Sequence, residues 1–189
     1  MKQKFYTSLI LLSILCISVL IMFAPSFTSK GISRVSIDKE INLPSILDDE
    51  KDIKLLFFGY AGCVNVCTPR LQSLATFYQS LDEKTKQRVG IEFLDISNPE
   101  NSALPNEFAR YFHKDFKGIY LDPLVIREYT KAFKVYFSQN LFDETEFDHS
   151  SNLYLLKKDK DQKILRYIYT SFPFDFKQIK LDIEELLYE

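Results

Sequence analysis

The sequence predicts an α/β protein, because short apolar runs alternate along the chain with apolar residues at helical spacing. The run from Ile53 to Phe58 is typical of a strand covered on both faces of a sheet. Thr68 to Leu81 then carries apolar residues at helical spacing, and Val89 to Ile96 is a second apolar run. Strand, helix and strand in that order predict a parallel pair of strands joined by a right-handed crossover.

The rest of the chain extends this βαβ unit. Val35 to Leu47 is expected to enter the domain as a loop or a short edge strand, and Ser138 to Asp148 as a polar, acid-rich loop. The other predicted elements are a helix carrying Leu104, Phe108, Tyr111 and Phe112, a helix capped by Asp122 with Leu124, Tyr129 and Phe133 facing inward, a hairpin of strands Asn152 to Leu156 and Ile164 to Tyr169, and a C-terminal helix marked by Phe176, Ile179, Ile183, Leu186 and Leu187. This is the thioredoxin-like order, with a central mixed sheet flanked by helices.

The N-terminus predicts a membrane anchor. Lys2 and Lys4 precede an apolar stretch from about Phe5 to Ala24, roughly the length that spans a bilayer as a helix. The stretch is longer than a typical signal-peptide core and lacks a clean cleavage site, which favours an uncleaved anchor over a cleaved signal. We therefore expect an anchor over 1–25, a linker over 26–44 and a folded domain over 45–189. The lysines predict that the N-terminus stays in the cytoplasm and that the folded domain lies outside it. We therefore expect a single-pass protein of the inner (cytoplasmic) membrane with its domain on the periplasmic or extracytoplasmic side.

Composition narrows the range of functions. The 189 residues are 46% hydrophobic and 26% charged with a net charge of −2, which is typical of a globular domain and argues against nucleic acid as a partner. Of three cysteines, Cys16 lies in the apolar N-terminal stretch, where it is interpreted as a small apolar residue. Cys63 and Cys67 form one pair, too few for a disulfide framework, so they are interpreted as a site.

The cysteine pair lies at a predicted helix start, four residues apart and followed by Pro69. A helix N-terminus favours thiolate over thiol, and thiolates both bind soft metals and exchange disulfides. Residues four apart on a helix share one face, so Cys63 and Cys67 are placed either to chelate one ion or to close a disulfide. The spacing leaves both chemistries open.

A histidine supplies the candidate third group. In the thioredoxin-like order, the loop before the hairpin faces the cysteine turn, and here that loop carries His149. Cys63, Cys67 and His149 together suit copper, Cu(I) in particular, whereas zinc would need a fourth ligand. Asp148 is a candidate acceptor for orienting the imidazole. The other histidine, His113, is interpreted as a capping or surface residue near a helix end.

Three segments resemble one protein family. Phe58-Gly59-Tyr60-x-x-Cys63-x-x-Val66-Cys67 resembles the F-G-Y-x-x-C-P-D-V-C-P signature of the Sco/SenC proteins, the membrane-anchored thioredoxin-like copper proteins of cytochrome c oxidase assembly. Asp148-His149-Ser150 resembles the family's D-H-S/T segment, and Leu94 to Glu100 its S-x-D-P-E region. Between the cysteines, Val64 and Asn65 stand in place of proline and aspartate, and the proline after the second cysteine is displaced by one residue.

The resemblance implies a metallochaperone. Cys63, Cys67 and His149 would bind copper, as Cu(I) and also Cu(II), received from a copper donor protein. The copper would go to the CuA site of cytochrome c oxidase subunit II or to another client, or the protein would reduce the cysteines of that site. The alternative is an extracytoplasmic thiol-disulfide oxidoreductase in which Cys63 and Cys67 cycle between dithiol and disulfide, so whether the protein is an enzyme stays open. Nothing in the sequence indicates more than a monomer.

Overall fold

The computed structural model describes residues 6, 10, 12–18, 33–41, 51–97, 101–139, 147–160 and 162–189. The chain divides into two compact units, Met1–Ile32 and Ser33–Glu189. In the first unit, residues 12–18 are helical with exposed side chains. Among the described residues, no helix is both long enough and apolar enough to cross a membrane. Most of the predicted anchor from Phe5 to Ala24 lies outside the described residues.

The second unit contains a mixed sheet and flanking helices. The described strands are β1 (Arg34–Glu40), β2 (Ile53–Gly59), β3 (Val89–Asp95), β4 (Lys117–Tyr120), β5 (Phe137–Gln139), β6 (Phe147–His149), β7 (Leu153–Asp159) and β8 (Gln162–Tyr169). The described helices are α1 (Cys67–Ser80), α2 (Glu83–Arg88), α3 (Leu104–Phe112), α4 (Pro123–Phe133) and α5 (Phe176–Tyr188).

The sheet has six strands in the order β1-β8-β7-β2-β3-β4. β2 pairs in parallel with β3, and β3 with β4, while the other neighbours are antiparallel. β5 and β6 form a separate antiparallel pair. The predicted βαβ unit, hairpin and C-terminal helix are therefore confirmed, and the fold is thioredoxin-like with a central mixed sheet.

Strand β2 lies inside the sheet, between β7 and β3, and it is buried along its whole length. Leu55 and Phe57 join a core cluster with residues of α1, α3 and α5, whereas Leu56 and Phe58 join a second cluster with residues of α4. Helices therefore cover both faces of the sheet. This explains why the sequence of β2 is a nearly unbroken apolar run, as the sequence predicted.

Strand β4 and helix α2 were not predicted from the sequence. β4 is four residues long and none of its residues is fully buried, so it lacks the apolar pattern of a central strand. A Cβ atom on Gly118 would lie 1.8 Å from the carbonyl oxygen of Pro105. The backbones of β4 and α3 therefore lie close together, and this contact depends on a missing side chain rather than on an apolar one.

In α4 one predicted inward residue points outward. The side chain of Asp122 caps the helix by accepting a hydrogen bond from the backbone N–H of Leu124, as predicted, and Tyr129 and Phe133 are buried. Leu124, however, is 85% exposed, and Ile126 is buried instead. Positions two apart on a helix do not share a face, so Leu124 and Ile126 cannot both point inward.

The predicted linker over 26–44 needs correction. Its residues 34–40 form β1, an edge strand that pairs antiparallel with β8. The expectation of a short edge strand after the linker is therefore confirmed, and the sheet begins earlier than the predicted domain start at residue 45. Residues 42–50 lie outside the described residues.

A buried carboxylate holds this edge strand to α5. Asp182 is 1% exposed and accepts two hydrogen bonds from Arg34, each 2.8 Å long. It also accepts a 2.6 Å bond from the hydroxyl of Tyr169 and a 2.8 Å bond from the amide of Gln178. Burial raises the pKa of Tyr169, so its hydroxyl stays a donor. The network joins β1, β8 and α5 around one negative charge.

We expect Asp182→Asn to lower the free energy of unfolding by about 2 kcal/mol, because the amide keeps the size of the side chain but removes the charge facing Arg34. Urea denaturation of the purified protein measures this. Glu83→Gln is the matched control, since Glu83 is 85% exposed in its ion pair with Lys86. Removing that exposed pair should cost less than about 1 kcal/mol. Equal losses in the two variants would contradict the assignment.

Candidate metal centre

The cysteine turn follows β2 at the carboxyl end of a parallel strand, the edge where open α/β sheets place their ligands. Cys63 lies in the turn and Cys67 is the first residue of α1. The backbone N–H of Cys63 donates to the carbonyl of Tyr60 at 3.2 Å. The N–H and the hydroxyl of Thr68 donate to the carbonyl of Cys63 at 3.1 and 3.0 Å. Gly62 has a φ of +94°, a value that favours glycine.

A buried carboxylate at the end of β3 also holds the turn. Asp95 is 0% exposed and accepts a 2.8 Å hydrogen bond from the backbone N–H of Ala61. Its other oxygen accepts bonds from the N–H and the hydroxyl of Ser97. The sequence offered Asp95 only as part of a segment resembling a family motif. Its role in positioning the turn depends on the parallel register, which places Asp95 opposite Gly59.

Gly59 makes room for one of the thiols. A Cβ atom at this position would lie 2.5 Å from Sγ of Cys67 and 3.0 Å from the ring of Phe93. Both cysteines are buried, with Cys67 at 0% exposure and Cys63 at 2%. The absence of a side chain at the end of β2 therefore lets Cys67 pack directly against the strand.

His149 lies on β6, which pairs with β5. Its Nε2 is 3.7 Å from Sγ of Cys67, and its ring makes edge contacts with Phe57 and Tyr60. The ligand atoms of Cys63, Cys67 and His149 all lie within 4.8 Å of one another. The structure thus brings the three predicted residues together.

The orientation of the imidazole follows from its second nitrogen. Nδ1 of His149 is 3.0 Å from the carbonyl oxygen of Ser150, and a carbonyl only accepts hydrogen bonds. Nδ1 therefore carries the proton, and the lone pair of Nε2 faces the cysteines. The predicted acceptor, Asp148, is exposed, and the acceptor is instead the Ser150 carbonyl. Residues 140–146 of the predicted acidic loop lie outside the described residues.

The two thiols have opposite acidities. A hydrogen bond from Cys67 lowers the pKa of Cys63, although burial opposes the shift. The same bond to Cys63 raises the pKa of Cys67, together with burial and the negative charge of Cys63. The backbone N–H of Cys67 also donates to Sγ of Cys63 at 3.3 Å. The pair therefore shares one proton, with the thiolate on Cys63.

The second histidine, His113, lies at the end of α3 and is not part of the group formed by Cys63, Cys67 and His149. It is the C-cap residue of α3, and its ring packs against Tyr78 and Phe116. Its Nδ1 accepts a 3.2 Å hydrogen bond from the backbone N–H of Asp115. The predicted capping position is confirmed. Within the part of the chain that the structure describes, Cys63, Cys67 and His149 are the one group of three such side chains placed to hold a metal ion.

The fold and the site define a thioredoxin-like protein with two cysteines and one histidine converging at the edge of its sheet. The family model described as SCO1/SenC matches residues 49–185. The chain therefore belongs to the SCO1/SenC family.

Known relatives agree with this assignment. The chain is 26% identical over 123 residues to a SCO2-like protein of Rickettsia conorii, covering 62% of this chain and 58% of that protein. It is 30% identical over 112 residues to the mitochondrial SCO2 homologue of Bos taurus, covering 56% of this chain and 41% of that protein. The match thus spans less than two thirds of the length of these relatives.

Solved structures share the fold. Apo Sco1 from Thermus thermophilus has a TM-score of 0.62 at 20% identity, over 84% of this chain and 95% of that one. Yeast Sco1 with copper bound has a TM-score of 0.59 at 19% identity, over 82% of this chain and 90% of that one. At these identities the likeness concerns the fold alone.

We expect Gly59→Ala to destabilise the protein by about 1–3 kcal/mol, because the new methyl group would overlap Sγ of Cys67. Urea denaturation measures the loss. The control is the same substitution in a Cys67→Ala background, where the sulfur is gone and the loss should be smaller. Equal losses in the two backgrounds would show that Cys67 is not what excludes a side chain at Gly59.

We also expect Cys67→Ala to raise the pKa of Cys63 towards the ordinary cysteine value of about 8.5, because the thiol that donates to its thiolate is lost. In a Cys16→Ser background, ultraviolet thiolate absorbance is measured against pH. A lowered pKa keeps the thiolate at neutral pH and loses it only in acid, whereas the alanine variant should lose it as the pH falls through mildly alkaline values. Cys67→Ser keeps a hydroxyl donor and is the control. Identical profiles for the two variants would contradict the shared proton.

Proposed function

We propose that this protein binds one copper ion through Cys63, Cys67 and His149 and passes it to a client protein. The observation that carries the proposal is the convergence of two sulfur atoms and one imidazole nitrogen within 4.8 Å. Two thiolates and an imidazole form a soft, low-coordinate ligand set, which suits Cu(I) better than it suits Mg²⁺ or Ca²⁺. The copper-bound yeast relative supports the same choice of metal.

The protonation of the site favours uptake of a soft cation. Cys63 offers a thiolate, and a bound cation would replace the proton that Cys67 holds. The protonated Nδ1 leaves Nε2 of His149 as the ligand atom. Tyr60 and Phe57 pack against the imidazole ring and fix its plane, so little side-chain freedom remains to be lost on binding.

A partner protein would be able to reach the site. Val64, between the two cysteines, is 68% exposed, and His149 is partly exposed at the edge of the sheet. A client's ligands would reach the ion from this side and displace the protein's ligands one at a time. Because Val64 and Asn65 replace the proline and aspartate of the family signature, the surface offered to the client here lacks that acidic group.

The cellular setting belongs to the proposal as well. Membership of the SCO1/SenC family supports cytochrome c oxidase subunit II as the client, at its CuA site, and a separate copper donor protein. The apolar segment from Phe5 to Ala24 supports a single-pass anchor in the inner membrane, with the domain over 45–189 and β1 outside the cytoplasm. In this proposal the protein acts as a monomer.

A second candidate function is disulfide reduction, and the unequal acidities of the thiols favour it. The Cys63 thiolate would attack a client disulfide and form a mixed disulfide, releasing one client thiolate. Cys67, after losing its proton to the released thiolate, would displace the second client sulfur and leave a Cys63–Cys67 disulfide. Two electrons pass to the client, and the protein must then be reduced by another dithiol.

We expect the reduced 189-residue chain, in a Cys16→Ser background, to bind one equivalent of Cu(I). His149→Ala should weaken that binding by at least about tenfold because one of three ligands is lost. Competition with a chromophoric Cu(I) chelator under anaerobic conditions measures the dissociation constant. His113→Ala is the matched control, since His113 lies at a helix end away from the cysteines, and it should bind copper normally.

Two outcomes separate the candidates. Failure of the reduced protein to take up stoichiometric Cu(I), or equal affinity of the His149→Ala and His113→Ala variants, would overturn the copper site as assigned. Retained reduction of a model disulfide by His149→Ala, together with loss of that activity in Cys63→Ser and no copper uptake by the parent protein, would favour the oxidoreductase.

A further inference from the structure

Arg70 lies one turn into α1, beside the cysteine pair, and neither proposed function accounts for it. One guanidinium nitrogen donates to the carbonyl of Val66 and another to the hydroxyl of Ser151, each at 3.0 Å. The centre of the guanidinium lies 4.4 Å from the ring centroid of Phe172. The first helical turn, the segment after His149 and the segment before α5 thus hold Arg70 in one place.

These contacts leave the positive charge of Arg70 without a carboxylate partner. Within the described residues its hydrogen bonds go to neutral oxygen atoms, and its remaining contact is an aromatic face. Burial lowers the pKa of Arg70, while negative charge on the cysteine pair acts in the opposite direction. Arg70 also follows Cys67 by three residues in α1, and residues three apart lie on the same side of a helix, so Arg70 is on the side of α1 that carries Cys67. The guanidinium of an arginine remains protonated in proteins, so Arg70 carries a positive charge.

The net charge of the metal-bound site depends on whether the ion is monovalent or divalent. Two thiolates, a neutral imidazole and a monovalent ion carry one net negative charge, whereas the same ligands around a divalent ion are neutral. In a partly buried site a net charge is costly unless an opposite charge lies nearby. Arg70 therefore stabilises a monovalent complex and gives little or nothing to a divalent one.

We infer that Arg70 is a specificity-determining residue that favours Cu(I) over divalent metal ions at the Cys63, Cys67 and His149 site. The inference rests on the proposed copper site. It does not depend on the protonation of the free thiols, because exchanging one bound metal for another starts and ends with both cysteines ligated. Asn65, where the family signature has aspartate, adds no negative charge that would offset Arg70.

The test is a metal-exchange measurement on the reduced 189-residue chain in the Cys16→Ser background. Dissociation constants are measured for Cu(I) with a chromophoric chelator and for Co(II) from its thiolate charge-transfer bands, in the parent and in Arg70→Met. Methionine keeps much of the length and removes the charge. The ratio of the Co(II) to the Cu(I) dissociation constant should fall by about tenfold, the effect of one nearby charge. Arg70→Lys should restore most of the ratio, and the exposed Arg127→Met should leave it unchanged.

The measurement separates a role of Arg70 in metal selectivity from a purely structural role, and both from failure of the proposed copper site. Equal weakening of both metals in Arg70→Met would mean that Arg70 only holds the fold, and would overturn the inference. A lysine variant with the same ratio as the methionine variant would also overturn it, because the charge alone would then not suffice. Absence of Cu(I) binding by the parent protein would instead refute the copper site itself.

Discussion

The close packing of Cys67 against the end of β2 is the constraint on which the site depends. The sulfur lies 2.5 Å from the position that a Cβ atom on Gly59 would take, so the first residue of α1 is fixed relative to the central strand. Because β2 is buried on both faces, that position is set by the whole core rather than by a mobile loop. The ligand most distant in sequence, His149, then meets a sulfur atom that is already held in place.

Hydrogen bonds, in addition to packing, position the cysteine turn and the imidazole of His149. Asp95 holds the turn from β3 through the N–H of Ala61, and the carbonyl of Ser150 sets the tautomer of His149. None of these groups would touch a metal ion directly. They determine instead which atoms face the ion, namely one thiolate, one thiol ready to lose its proton, and the free nitrogen of an imidazole. The positions of the three candidate ligands are therefore set by groups that do not themselves bind the ion.

Much of this was readable from the sequence, for physical reasons that differ by element. The apolar run of β2 and the helical spacing of apolar residues from Thr68 to Leu81 report burial directly, so they identify strand and helix. The place of His149 followed from the order of elements. The sequence did not predict β4 because the packing of this strand depends on Gly118 rather than on an apolar side chain. The outward direction of Leu124 was not predicted because a single apolar residue in the first turn of a helix does not show which face is buried. Asp95 was missed as a positioning group because only the parallel register brings it to Ala61.

The charged groups around the cysteines differ from those of the family signature. The family signature places an aspartate between the cysteines, and this chain has Asn65 there and Arg70 one turn further on. A negative group near the thiols would oppose a monovalent complex that is itself negative, whereas the guanidinium supports it. The ligand set alone accepts several soft and borderline metals, including zinc. Besides the number of ligands, groups that do not bind the metal can discriminate among these ions, and Arg70 is such a group, held by contacts that leave its charge available to the cysteines.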